Sequence, residues 1–289
     1  LVGFFNLNNT YNTNNLNNNN YLPNAVDIDI RALNKETMFP QADGPCDAMS
    51  ARRDVLFQNN YIAKNWYGYN EMERKYRQLF NYKDNKIDWL TIREILVCHS
   101  VHHIPLSSNI TEQDIHSLGQ FMTWVWSTLY NDYILNKLAI GRFLHDLTSD
   151  IEDSINHISS YKILLYSGHD STIIPLLCAL GITTNEWPSY ASHLIIEIAT
   201  EKKTETETET EKHFIRVLYN NQIMKLSSHS LDESVEECWY SASSVLPHLK
   251  SFIPQNYSEE CQQCDEIRNH TRVESKINDL KKPVEIITN

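Results

Sequence analysis

Apolar and polar residues alternate along Ala25-Val26-Asp27-Ile28-Asp29-Ile30, and a period of two predicts a strand. Residues 33–46 (LNKETMFPQADGPC) interrupt it with Pro40, Gly44 and Pro45, which predict a loop with short turns. From roughly residue 50 to 157 the pattern is helical. Ile115, Leu118, Phe121, Met122, Val125 and Leu129 recur at helical spacing, as do Leu138, Ile140, Phe143, Leu144, Leu147 and Ile151. Each set makes the apolar face of an amphipathic helix. Trp124 and Trp126 flank the first stripe and are expected to pack between helices.

The character then changes. Lys162-Ile163-Leu164-Leu165-Tyr166 is nearly continuous in apolar residues, the signature of a strand buried on both faces of a parallel sheet. A polar turn follows, Ser167-Gly168-His169-Asp170-Ser171-Thr172, and then an apolar helix over 173–180 that Gly181 stops, with Pro175 expected in its first turn. Residues 193–199 and 213–219 predict two further strands. The Thr-Glu repeat between them, within 201–212, reads as a solvated hairpin insertion. Asn220-Asn221 predicts a tight turn into a third strand over 222–226.

Composition adds limits. Residues 1–24 are dominated by asparagine from residue 6 to 20 and are expected to be disordered. The opening LVGFFNLNN has no basic start and only a short apolar run, so it is not a recognisable signal peptide, and a true N-terminus upstream of Leu1 is the expectation. No apolar run is long enough to span a membrane. A net charge of −12 argues against a nucleic-acid surface. It leaves an anionic small molecule open, because a local pocket can be positive on an acidic protein. The six cysteines are Cys46, Cys98, Cys178, Cys238, Cys261 and Cys264, and N-x-[ST] sequons stand at Asn8, Asn109, Asn256 and Asn269. Together they lean toward a secretory, lysosomal or extracellular setting.

The strand–turn–helix at 162–180 carries the candidate chemistry. Free N–H groups at the helix start and the positive end of its dipole favour a bound anion. Gly168 lets the backbone turn and a ligand approach, and Ser167 precedes it in the same turn. His169 can donate hydrogen bonds to a phosphate oxygen. Asp170, when protonated, can hand a proton to a leaving alcohol. On local grounds alone Asp170 or Ser171 reads equally well as an N-cap, with His169 a turn residue.

LLYSGHDSTIIPLLCALGI (164–182) resembles the second signature of the histidine acid phosphatases, a branch of the phosphoglycerate-mutase-like superfamily. WPSYASHLIIEI (187–198), MFPQADGPC (38–46), VCHSVHHIPL (97–106), HFIRVLYNNQ (213–222) and PQNYSEECQQC (254–264) resemble further blocks of that family in its order. The resemblance implies a largely parallel α/β sheet flanked by helices, with an inserted helical cap. It divides the chain into core over 25–48 and 159–264, cap over 49–158 and a polar tail over 265–289. It implies hydrolysis of small-molecule or lipid phosphate monoesters through a phosphohistidine, without cofactor or metal. His169 would bind the phosphoryl group and Asp170 would be the general acid. It also implies a Cys46–Cys261 disulfide; Cys238 and Cys264 are the further candidate pair.

The family's nucleophile lies in an Arg-His-Gly motif, and no Arg-His-Gly occurs in this sequence. Arg31 falls in the strand matched to a later family segment, so it is not assigned the missing phosphate clamp. His99, His102 and His103 fall in the block matched to the cap and are not expected to replace the nucleophile. Cys98-His99-x-x-His102-His103 lacks the regular spacing of a zinc site, and Cys261-x-x-Cys264 lacks a second pair. The expectation is therefore an acid phosphatase lacking its nucleophile segment. The alternatives are an inactive relative that keeps an anion-binding or interaction role, and, less favoured, a mutase.

Overall fold

The computed structural model describes residues 2–5, 27–40, 45–57, 65–83, 87–107, 109–201, 211–227 and 236–263, with only the backbone for 2–5, 27–29, 34, 57 and 236. The chain clusters into two units. One comprises residues 1–45, 136–182 and 188–257, and the other residues 46–135, 183–187 and 258–289.

The described residues of the second unit include the helices α1 (Asp47–Phe57), α2 (Tyr69–Leu79), α3 (Trp89–Val101) and α4 (Glu112–Tyr130). Their starts follow from local chemistry. Thr111 and Asp114 form a reciprocal capping box at α4, and Asp88 accepts from the Thr91 N–H at α3. Phe121, fully buried, is the hub of an aromatic cluster whose ring centroids lie 5.4 Å from Trp89, 5.6 Å from Trp66 and 5.8 Å from Tyr69. Trp124 leans on Trp66, and Trp126 meets Trp187 edge to face. Arg93 lays its guanidinium 4.6 Å over the same Trp187 ring.

A disulfide joins Cys46 to Cys261 across 215 residues of sequence, in agreement with the expected pairing. Cys238, by contrast, is a free thiol, and its half-buried side chain packs against the apolar core of its own unit, the first; Cys264 lies outside the described residues.

Two sheets lie among the described residues of the first unit. β1 (Val2–Phe5), β2 (Asp27–Asp29) and β3 (Ile163–Tyr166) lie in the order β2-β1-β3. β4 (Leu194–Thr200), β5 (His213–Tyr219) and β6 (Gln222–Met224) form a second sheet, and β7 (Tyr240–Ser241) pairs with β5. Helix α5 (Tyr133–Ile155) supplies Ile140, Phe143, Leu144 and Leu147 to the core from its Asn136–Ile155 part. Helix α6 (Asp170–Ala179) and α7 (Ala242–Lys250) supply Leu176, Leu177, Val245 and Leu249, and β5 adds Ile215 and Val217. The α5 backbone packs so closely at Gly141 that a Cβ there would lie 2.2 Å from the Phe252 carbonyl oxygen.

The sheets correct three expectations. Every strand pairing among the described residues is antiparallel, not parallel. Antiparallel β1 occupies the side of β3, and β4–β5–β6 is a meander of strands consecutive in sequence, for which antiparallel pairing is the natural geometry. The strand over 163–166 is not buried on both faces: Ile163 and Leu165 are about half exposed, at 49% and 53%, while Leu164 and Tyr166 are half-buried. A short apolar run does not by itself distinguish these cases. Finally, Val2–Phe5 forms a strand inside the tract expected to be disordered, since VGFF has strand-forming residues and β3 offers backbone partners. Positive φ values at Asn220 and Asn221, 48° and 65°, make the tight turn that the sequence predicts there.

Candidate active site

Past the carboxyl end of β3, Ser167 and Gly168 carry the chain to α6. His169 is the N-cap, with an extended backbone of φ −129° and ψ 173°. Its carbonyl accepts from the Thr172 and Ile173 N–H groups, each at 3.0 Å, and its own N–H donates to Thr172 Oγ1 at 3.1 Å. Asp170 is the first helical residue. Neither Asp170 nor Ser171 is therefore the N-cap, contrary to the capping alternative. Asp170 does serve the helix start, because its Oδ1 accepts from the Ser171 N–H at 2.7 Å.

The imidazole of His169 is exposed and Asp170 is half-buried. Both stand at the positive dipole end of a ten-residue helix, which favours negative charge. Gly168 has a different reason from the one expected. Its φ is not positive, but a Cβ there would sit 2.9 Å from Thr172 Oγ1. The glycine leaves room for the threonine that closes the turn.

Thr172, 5% exposed, also donates from Oγ1 to the Met38 carbonyl at 2.7 Å. That bond draws residues 36–39 to the site. Glu36 Oε1 accepts from the Thr37 and Met38 N–H groups, both at 2.8 Å, and Thr37 Oγ1 donates to Asp146 at 2.8 Å. Arg31 pairs with the same Asp146 carboxylate and donates to Thr37 Oγ1 at 3.0 Å. Phe39 then meets the His169 ring edge to face, with centroids 5.7 Å apart. Sequence reading placed Met38 and Phe39 in a loop and gave neither a place at the site. Only the contact across some 130 residues brings them there.

Beneath the turn, Tyr166 donates to the Asp150 carboxylate and packs edge to face on Phe143. Burial, then the hydrogen bond and negative charge of Asp150, push its phenol well above the usual tyrosine range. Ser171 is buried, and its Oγ has no hydrogen-bond partner among the described residues. Pro175 lies at the sixth residue of α6, not in the first turn, because the helix begins three residues earlier than the apolar pattern suggests. Its carbonyl accepts from Asn136 Nδ2 at 3.2 Å.

The rival cluster is arranged otherwise. Cys98 is exposed near the end of α3, and His102 and His103 are exposed just beyond it. Among the described residues no group of three or more His, Cys, Asp or Glu side chains is placed to hold a metal ion. Asn109 and Asn256 are exposed, whereas Asn8 and Asn269 lie outside the described residues. No described helix is long and apolar enough to cross a membrane.

The model of the histidine phosphatase superfamily, branch 2, matches residues 6–220, and the chain belongs to that family. Among individual proteins it is similar to Counting factor 60 of Dictyostelium discoideum, at 22% identity over 173 residues, 60% of this chain and 38% of that one. It is similar to prostatic acid phosphatase of Bos taurus at 24% identity over 195 residues, 66% and 46% of the two chains. Human lysophosphatidic acid phosphatase type 6 matches at 29% identity over 122 residues, 39% of this chain and 28% of that one. The chain thus spans less than half the length of these relatives.

Proposed function

We propose that this polypeptide carries the acid half of an acid phosphatase site acting on small phosphate monoesters. One observation carries the reading: an exposed imidazole and a half-buried carboxyl on consecutive residues at the N-terminus of α6, in a chain of the histidine phosphatase family. The helix end and the His169 imidazole hold the phosphoryl oxygens. Asp170, in its protonated form, gives its proton to the leaving alcohol, then takes one from the attacking water. In this reading the unit centred on 46–135 is the family's cap, hydrolysis runs through a phosphohistidine, and no cofactor takes part. The lysophosphatidic acid phosphatases among the relatives make lipid phosphates one substrate class to test. The Cys46–Cys261 bridge and the exposed sequons at Asn109 and Asn256 support a secretory, lysosomal or extracellular setting.

A second reading, an inactive relative that binds anions, is favoured by the lack of Arg-His-Gly in the sequence. The two readings part on turnover. These 289 residues alone are expected to bind inorganic phosphate without hydrolysing esters; robust turnover at acidic pH would reveal another nucleophile. In a polypeptide whose transcript supplies an upstream Arg-His-Gly strand, Asp170→Ala is expected to slow alkyl phosphates about 10²–10⁴-fold, and esters with good leaving groups much less. An equal loss for both esters removes Asp170 as the acid.

A further inference from the structure

Phe39 is a large apolar residue kept partly in water, 42% exposed, while its neighbour Met38 is 4% exposed within the core. The ring is not there through slackness. The backbone before it is fixed by the Thr172–Met38 bond, by both Glu36 bonds, and by Thr37 and Arg31 on Asp146. These contacts tie the 36–38 segment to α5 and α6, the two helices that frame the turn. The edge-to-face contact therefore sets one side of the His169 imidazole. An exposed imidazole has several rotamers open to it, and an aromatic neighbour on a fixed backbone removes some of them. The exposed part of the Phe39 ring leaves apolar surface beside the atoms that would meet a phosphate.

We infer that Phe39 is a positioning and specificity residue of this site, orienting His169 and favouring phosphate monoesters whose organic group is apolar, above all aryl. The inference rests on the phosphate-site reading of His169 and Asp170. A bound phosphoryl group beside His169 directs its ester substituent over Phe39 or into water. A methyl group gains little from the ring. A phenyl group makes an aromatic pair worth about 0.5–1.5 kcal/mol, about 2- to 10-fold in affinity.

The test uses the whole chain and non-hydrolysable probes. Inorganic phosphate, methylphosphonate and phenylphosphonate are titrated while the imidazole resonances of His169 are followed by NMR, with His213 and His248 as reporters of intact folding. The expected result is that all three ligands move the His169 signals, with phenylphosphonate about 2- to 10-fold tighter than methylphosphonate. Phe39→Ala is expected to shift the ligand-free His169 signals, weaken inorganic phosphate and abolish the phenyl preference. Phe39→Tyr, which keeps the ring, restores all three. Equal affinity for the two phosphonates in the wild type overturns the inference, as does an unchanged preference in Phe39→Ala or a lost one in Phe39→Tyr. If no ligand moves His169 in the wild type, the phosphate-site reading itself falls. Phosphate binding without phenyl preference defeats the role of Phe39 alone.

Discussion

The two units are held by different means. The helical unit is closed by covalent and aromatic contacts: the Cys46–Cys261 bridge, the rings around Phe121, and the Arg52–Asp132 ion pair with side chains only 2% and 8% exposed. The α/β unit has an aliphatic core, yet it leaves Ile163, Leu165, Ile195 and Ile223 between 40% and 53% exposed on its strands. Its candidate site is fastened by hydrogen bonds that Thr172 and Thr37 donate and by two that the Glu36 carboxylate accepts. Each unit has its own buried apolar residues, and the candidate chemistry lies on the α/β unit. Polar groups that must meet a ligand cannot also be buried among apolar rings.

Substitutions can break that contrast. The largest effect is expected from Cys46→Ser with Cys261→Ser. Opening a loop of 215 residues should cost about 4–5 kcal/mol by urea denaturation, and little change would show that the aromatic cluster alone holds the unit. Arg52→Ala should cost about 3–4 kcal/mol, because it leaves the buried Asp132 charge without its partner. In the α/β unit, Gly141→Ala must push the chain away from the Phe252 carbonyl, at a cost of about 1–3 kcal/mol.

Tyr166→Phe should cost about 1–2 kcal/mol by removing the bond to Asp150. The raised phenol means that its contribution is full below about pH 10, the usual unfolded value, and declines as pH rises toward the folded one. Stability measured from pH 8 to 11 should therefore converge for wild type and variant at the alkaline end.

The smallest effect concerns Asp114. Burial alone would raise its carboxyl, but hydrogen bonds from Lys75 and Thr111 together hold it below the usual range. That contribution is present above about pH 4 and lost as pH falls through the lowered value. Lys75 is 37% exposed, so solvent screening limits the pair to less than about 1 kcal/mol. Asp114→Asn and wild type should differ at pH 6 and converge near pH 2. A gap that persists in acid would assign the effect to the Thr111 cap.

The sequence by itself determined what is local or repeated. The helical stripe from Ile115 to Leu129, the strand over 213–219, the Asn220-Asn221 turn and the His169-Asp170 pair before a helix were all legible, because each depends on neighbours within about four positions. Tertiary structure decided what distant segments do to one another. Strand direction, the half-open face of β3 and the arrival of Phe39 beside His169 depend on partners far along the chain. The use of Gly168 to seat Thr172 belongs with them, since Thr172 also reaches back to Met38. Periodicity records which face of an element avoids water, not which element will cover it.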